Sequence, residues 1–174
     1  SSAASDVYKR QELDFYDLYE KMYYMKYGKQ VPYEANYGGV EYEVPEDEFE
    51  EVIKTYLPFS NTEIEKGTFY NFNNKTFRYR PRGLYDCEFP YEPYPEVISY
   101  EKLQDGTLKL TIEAVWEIRM VDQAITSELM IKPMEDGSFQ YLSNKVISSD
   151  QNANAGWYMP RLTEEEWEEN YSNN

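Results

Sequence analysis

Asp86 and Glu88 stand two positions apart beside a run of aromatic residues. In a chain with no histidine, carboxylate pairs of this kind are the one route to acid–base chemistry. Glycoside hydrolysis asks for two carboxyls about 5–9 Å apart, one of them with a raised pKa. Glu113 and Glu117 make a second such pair if the wet face of a strand lines a groove. With 33 acidic residues some pair always meets the distance requirement, so the pattern alone carries little weight.

Lys75, Arg78, Arg80 and Arg82 form a basic run in an acidic chain. The planar fork of arginine matches a carboxylate or a phosphate. Arg80 and Arg82, followed by Tyr85, Phe89, Tyr91 and Tyr94, therefore make a candidate ligand surface, because aromatics on loops stack on sugar rings or grip peptides. The plainer expectation is that the arginines pair with nearby acids and the rings fold back over the sheet as a lid. Trp157 and Trp167 pose the same choice near the C-terminus.

Asp150, Asn152 and Asn154 place oxygen ligands at alternate positions, as a calcium loop does. An EF-hand loop needs glycine at its sixth position and a bidentate carboxylate at its twelfth. Here those positions hold Ala155 and Arg161, so a polar surface loop is expected, and neither a metal nor a cofactor.

Composition narrows the classes further. A net charge of −16 repels phosphate backbones and anionic membrane surfaces, which argues against a nucleic-acid role. Without histidine there is no Ser-His-Asp triad, Cys-His pair or histidine-ligated zinc. The single cysteine, Cys87, excludes an intramolecular disulfide, and its acidic neighbours disfavour a thiolate. It is expected to be a partly buried structural thiol. Nineteen tyrosines suit half-buried sheet faces and sugar- or peptide-binding surfaces alike. No run of eighteen apolar residues marks a transmembrane helix.

Residues 1–11 resemble a string that recurs at the ends of unrelated metagenomic translations, where it looks like read-through of sequencing-adapter DNA. They are set aside as a non-native leader. Residues 12–162 read as one domain and 163–174 as a short acidic helix or tail.

The elements follow from periodicity. Phe15, Leu18, Tyr19, Met22 and Met25 predict a helix over 12–27, with Gly28 as its stop. Residues 29–44 read as a loop with at most a short extended piece. Pro45 suits a first helical position, and Glu46, Asp47 and Glu48 suit the positive end of the helix dipole. Phe49, Val52, Ile53, Tyr56 and Leu57 complete that apolar stripe. Ser60 or Asn61 caps a short turn to Lys66. Residues 68–80 read as a hairpin turning at Asn73-Asn74, and 81–95 as irregular surface chain.

Four strands follow, at 96–103, 107–121, about 124–133 and 138–147. Asp105-Gly106, Asp122-Gln123 and Asp136-Gly137 are the expected turns. The second strand is apolar at every other position from Leu108 to Met120, and is long enough to need a bend or a bulge. The expected fold is α+β: two N-terminal amphipathic helices packed on one face of a curved antiparallel sheet made of a hairpin plus a four-strand meander. By architectural analogy this resembles the nuclear-transport-factor-2-like fold.

Val44 to Ile53, Tyr94-Pro95-Glu96-Val97, Asp105-Gly106-Thr107-Leu108 and Asp136 to Asn144 together resemble an uncharacterised family of extracytoplasmic, lipoprotein-type proteins of Gram-positive gut bacteria. That resemblance implies a place outside the membrane, tethered through a lost N-terminal lipid. It assigns no activity and no functional residue. The expectation is a non-enzymatic binding or structural domain for a cell-wall polymer, glycan or peptide. The alternative is a carboxylate-dependent hydrolase with its pocket in a cone-shaped sheet.

Overall fold

The computed structural model describes residues 13–87, 91–149 and 159–172. Its fold is α+β, with two open antiparallel sheets. The chain divides into two compact units: 14–54, 59–87 and 159–172 form one, and 55–58 and 91–149 belong to the other.

The first unit begins with α1, Phe15–Tyr27. Asp14 caps it, its side chain accepting from the backbone N–H groups of Tyr16 and Asp17, and Gly28 ends it at φ 68°. Phe15, Tyr19, Met22 and Tyr23 are buried. Met25, expected on that stripe, is exposed, because the buried face rotates onto Tyr23.

Strand β1, Tyr42–Pro45, runs directly into α2, Glu46–Tyr56. Pro45 is thus the last strand residue rather than the first helical one. It pairs with Thr76, and the Glu46 N–H donates to the carbonyl of Lys75. Helix α3, Asn61–Lys66, starts with a full capping box between Ser60 and Glu63.

Strands β2, Tyr70–Asn71, and β3, Thr76–Tyr79, form the expected hairpin, and β1 joins it in the order β1-β3-β2. Its left-handed residue is Lys75, at φ 55°, rather than Asn73 or Asn74. The Asn71 side chain instead accepts from the N–H groups of both asparagines and shapes the loop.

The core of this unit is aromatic. Tyr19, Phe49 and Phe77 stack in series at 4.5 Å between successive ring centres, one each from α1, α2 and β3. Tyr79 meets Tyr19 edge-on, and Val44, Val52, Ile53 and Ile64 are fully buried around them. Alternation on β3 places Phe77 and Tyr79 inside and leaves Arg78 outside. Helix α4, Glu164–Tyr171, carries the expected capping box of Thr163 and Glu166 and buries Trp167 and Tyr171.

The second unit is the meander. Strands β4, Tyr94–Lys102, β5, Leu108–Trp116, β6, Val121–Pro133, and β7, Phe139–Ser149, lie in sequence order. Gly106 and Gly137 both adopt φ 84°, the left-handed conformation that their Asp-Gly turns require.

The predicted long strand stops at Trp116. A 3-10 turn at Glu117–Arg119 follows, and Met120 takes φ 52°. Asp122-Gln123 therefore lies inside β6 instead of forming the turn. Trp116 closes the end of the strand pair opposite Val121, packs against Ala114, Val121 and Ala124, and donates from Nε1 to the Tyr91 carbonyl at 2.7 Å. Within the same unit Tyr56 is buried and its ring meets that of Phe139.

Candidate functional site

The acids at the start of α1 fall at three-residue steps: Asp14, Asp17 and Glu20. Such spacing puts them along one side of the helix. Two arginines distant in sequence close on that side. Arg161 reaches Asp17 at 2.8 Å, Glu20 at 2.6 Å and Asp14 at 3.6 Å, and donates to the Arg80 carbonyl at 2.8 Å. Arg82 shares Asp17 at 3.0 Å and donates to the Asp86 carbonyl at 3.0 Å.

Burial opposes the charge on Arg161, but Glu20 and Asp17 outweigh it and hold the guanidinium more firmly protonated than usual. Asp14 moves the other way: burial and the neighbouring Asp17 charge raise it above the ordinary aspartate value. Glu20 also accepts from the buried Tyr79 hydroxyl, whose pKa is pushed up by burial and by that carboxylate.

Arg78 and Arg80 are engaged as well. Arg80 pairs with Glu41 and with Glu164 at 3.1 Å and lies 4.3 Å over the Trp167 ring. Arg78 pairs with Glu164 and lies 4.0 Å over the ring of Phe69. Glu164 is held below the ordinary glutamate value, first by its hydrogen bond to Arg78. Arg80 and Arg82 are thus bound to acids of their own chain. Those acids lie on α1, on α4 and beside β1, far away in sequence.

Asp86 is buried and tied to the backbone. Oδ1 accepts from the N–H of Gly83 at 2.8 Å and Oδ2 from the N–H of Leu162 at 3.3 Å. Its expected partner Glu88 lies outside the described residues, as do Phe89, Asp150, Asn152, Asn154 and Trp157. Cys87, expected to be partly buried, is exposed: the buried side chain of this turn is Asp86.

Tyr85 is partly exposed and meets Tyr171 edge-on at 5.2 Å. Tyr91 and Tyr94, both exposed, belong to the meander unit, so the expected ligand surface is divided between the two units. Tyr94 donates to Glu117 at 3.3 Å, and Glu113 accepts from Gln123 at 3.0 Å. Among the described residues no three His, Cys, Asp or Glu side chains are arranged to hold a metal ion. Among the same residues no helix is long and apolar enough to cross a membrane.

Next to the ion-pair cluster the first unit opens into a cleft of about 750 Å³. It is lined by Glu20, Lys21, Tyr24 and Met25 of α1, by residues 30, 31 and 33–35 of the segment after it, and by Tyr79, Pro81 and Arg82. Tyr24 and Met25 present apolar surface at 53% and 43% exposure, enough to meet a ligand face. Gln30 and Glu34 supply polar groups beside them. Tyr33 is fixed by its hydroxyl on Glu48, at 3.2 Å, and burial pushes its pKa up to about 12. The same Glu48 accepts from Tyr19 at 2.7 Å, so this wall is anchored to the core.

Sequence reasoning missed this cleft. Met25 looks like a core residue by spacing, Tyr24 lies off that stripe, and residues 30–35 look like plain loop. The three-residue acidic step of α1 and the basic run that holds Arg82 were the legible signals of the ion-pair cluster beside it.

The chain belongs to a family of unknown function, DUF6070, which matches residues 6–161. It is also similar to the tetratricopeptide repeat protein 17 of Mus musculus and to that of Rattus norvegicus. Each is 29% identical over 94 residues, which is 54% of this chain and 8% of the relative. The chain thus spans less than a tenth of the length of these curated relatives. No solved structure matches.

Proposed function

We propose that this protein is a non-enzymatic binding domain of an extracytoplasmic lipoprotein, and that the cleft between Tyr24 and Glu34 holds its ligand, a glycan of the cell-wall type. One observation carries the reading: the cleft is open and has an apolar wall of exposed Tyr24 and Met25 set against polar Gln30 and Glu34. A sugar ring asks for that combination, an apolar face to stack on and polar groups at its edge. The extracytoplasmic, lipid-anchored setting rests on the sequence resemblance.

The hydrolase alternative has less support. Asp86 uses both oxygens on backbone N–H groups, which fixes it as a brace for the loop. A general acid needs a carboxyl free to reach the leaving group.

Binding to purified cell-wall polysaccharides and to a panel of soluble glycans is the direct test. A Tyr24→Ala, Met25→Ala double variant should lose about tenfold or more in affinity, given that aromatic contacts dominate such surfaces. Tyr91→Ala, in the other unit, should leave binding unchanged. If the wild-type protein binds no glycan, or if the double variant binds as well as wild type, the proposal fails.

A further inference from the structure

Strand β4 lies at the edge of the four-stranded sheet, and all nine of its residues are exposed. An edge strand presents a row of backbone N–H and C=O groups toward solvent, a template for pairing with another chain. Some protection is built in: Pro95 lies near one end, and Ile98 is the extra residue of a bulge between Val97 and Ser99. The exposed side chains Val97, Ile98 and Tyr100 are nonetheless large and apolar, at 57%, 51% and 73% exposure.

Cross-strand register sorts the residues of this edge onto two faces. Val97 lies opposite Ile112 and Tyr100 opposite Leu110, so the apolar rows of the sheet run out to the edge on one face. Glu96 lies opposite Glu113 on the other. Like charges directly opposite are destabilising. No ion pair relieves this one among the described residues: Glu113 accepts from neutral Gln123, while Glu101 farther along has Lys109 at 3.1 Å. Tyr94, on the face of Glu96, hydrogen-bonds Glu117, and the charges of Glu117, Glu96 and Asp122 surround its hydroxyl.

We infer that β4 is a docking edge for an extended segment of another protein in which basic and apolar residues alternate. Added beside β4, such a segment continues the sheet through backbone hydrogen bonds. Its apolar residues extend the Val97 and Tyr100 rows. Its lysine or arginine next to Glu96 supplies the counter-charge that the Glu96–Glu113 pair lacks.

Charge complementarity decides the occupant. A second copy would bring another net charge of −16 and its own Glu96 to the seam. The opposite edge, β7, carries exposed Val146 and Ile147, but its Lys145 lies opposite Glu128, so no counter-charge is missing there.

The test uses the full chain and synthetic ten-residue peptides. One alternates lysine and valine, one has the same composition in two blocks, and one alternates but is N-methylated at every second residue. The alternating peptide should bind and shift the amide resonances of β4. The block and N-methylated peptides should bind about tenfold more weakly or worse, because strand addition needs both the alternation and the backbone donors. Glu96→Lys should weaken the alternating peptide by about threefold to tenfold at low salt without lowering the protein's melting temperature, since a lysine opposite Glu113 replaces the like-charge pair with an opposite-charge one. Equal binding of all three peptides would mean diffuse attraction to an acidic protein and would overturn the inference. So would the absence of binding, or a concentration-dependent dimer that excludes the peptide from β4. Loss of the Tyr24 cleft leaves this readout untouched, so the two proposals fail separately.

Discussion

Arg161 meets Glu20 at 2.6 Å across 141 positions of sequence. The contact joins the segment before α4 to the first turns of α1. The same guanidinium bridges Asp17 and the Arg80 carbonyl, so one side chain draws α1, the exit of β3 and the C-terminal segment together.

Removing Arg161 leaves the acids of α1 facing one another in a half-buried setting. Breaking a buried pair by deleting one partner costs about 3–5 kcal/mol. Arg161→Ala should therefore lower the urea midpoint sharply. Arg161→Lys should restore only part of the loss, since one ammonium cannot span Asp17, Glu20 and a carbonyl as the planar fork does. An unchanged midpoint for Arg161→Ala would show that the cluster contributes nothing net.

Glu50 is buried on α2, and its Oε1 has no hydrogen-bond partner. Burial raises its pKa from the usual 4.5; Glu46 and Glu65 push the same way and Lys54 opposes them. A raised carboxyl binds its proton more tightly folded than unfolded. The protein then loses stability as pH rises from the unfolded value through the folded one, and the full penalty stands above that. Glu50→Gln should stabilise the protein by about 1 kcal/mol at pH 7 and change little at pH 4. Paired denaturation curves at the two pH values measure the difference.

Gly67 has an ordinary backbone conformation, yet a Cβ there would lie 2.5 Å from the ring of buried Phe15. Gly106 is the reverse case, with open space around it and φ 84°. Gly67→Ala should cost about 1–3 kcal/mol through overpacking, and Phe15→Leu should relieve part of it. Gly106→Ala should cost about 1 kcal/mol through backbone strain, with no such rescue. Thermal melts of the two glycine variants and the Gly67→Ala, Phe15→Leu double variant separate the causes.

Thr163 accepts from the Glu166 N–H at 3.2 Å, and the Glu166 carboxylate accepts from the Thr163 N–H at 2.9 Å. Thr163→Ala should destabilise α4 by about 1 kcal/mol. The effect should appear as faster amide exchange at Trp167 and Tyr171 while the amides of the β4–β7 sheet stay protected. Uniform loss of protection in both units would contradict that locality.

Local rules decided the elements. Ser60 and Thr163 mark helix starts, Gly28 a stop, and the two Asp-Gly pairs mark hairpins, because caps and turns depend on residues within a few positions of one another. The apolar steps of α2 and the alternation of β5 were legible for the same reason. The ends of the longest strand were not. Trp116 stops β5 by packing against Ala114, Val121 and Ala124 and bonding the Tyr91 carbonyl, which no periodicity records.

Tertiary structure alone decided the site. Asp17 and Arg82 are 65 positions apart, Glu20 and Arg161 141, and only the fold brings these charges within reach. It also turned Met25 outward and Tyr23 inward, which exposed one wall of the cleft, and it separated the hairpin from the meander as two sheets. Sequence determines which residues alternate and where the chain turns. Which alternating edge receives a partner strand and which is left open depends on contacts between distant segments, and those exist only once the chain is folded.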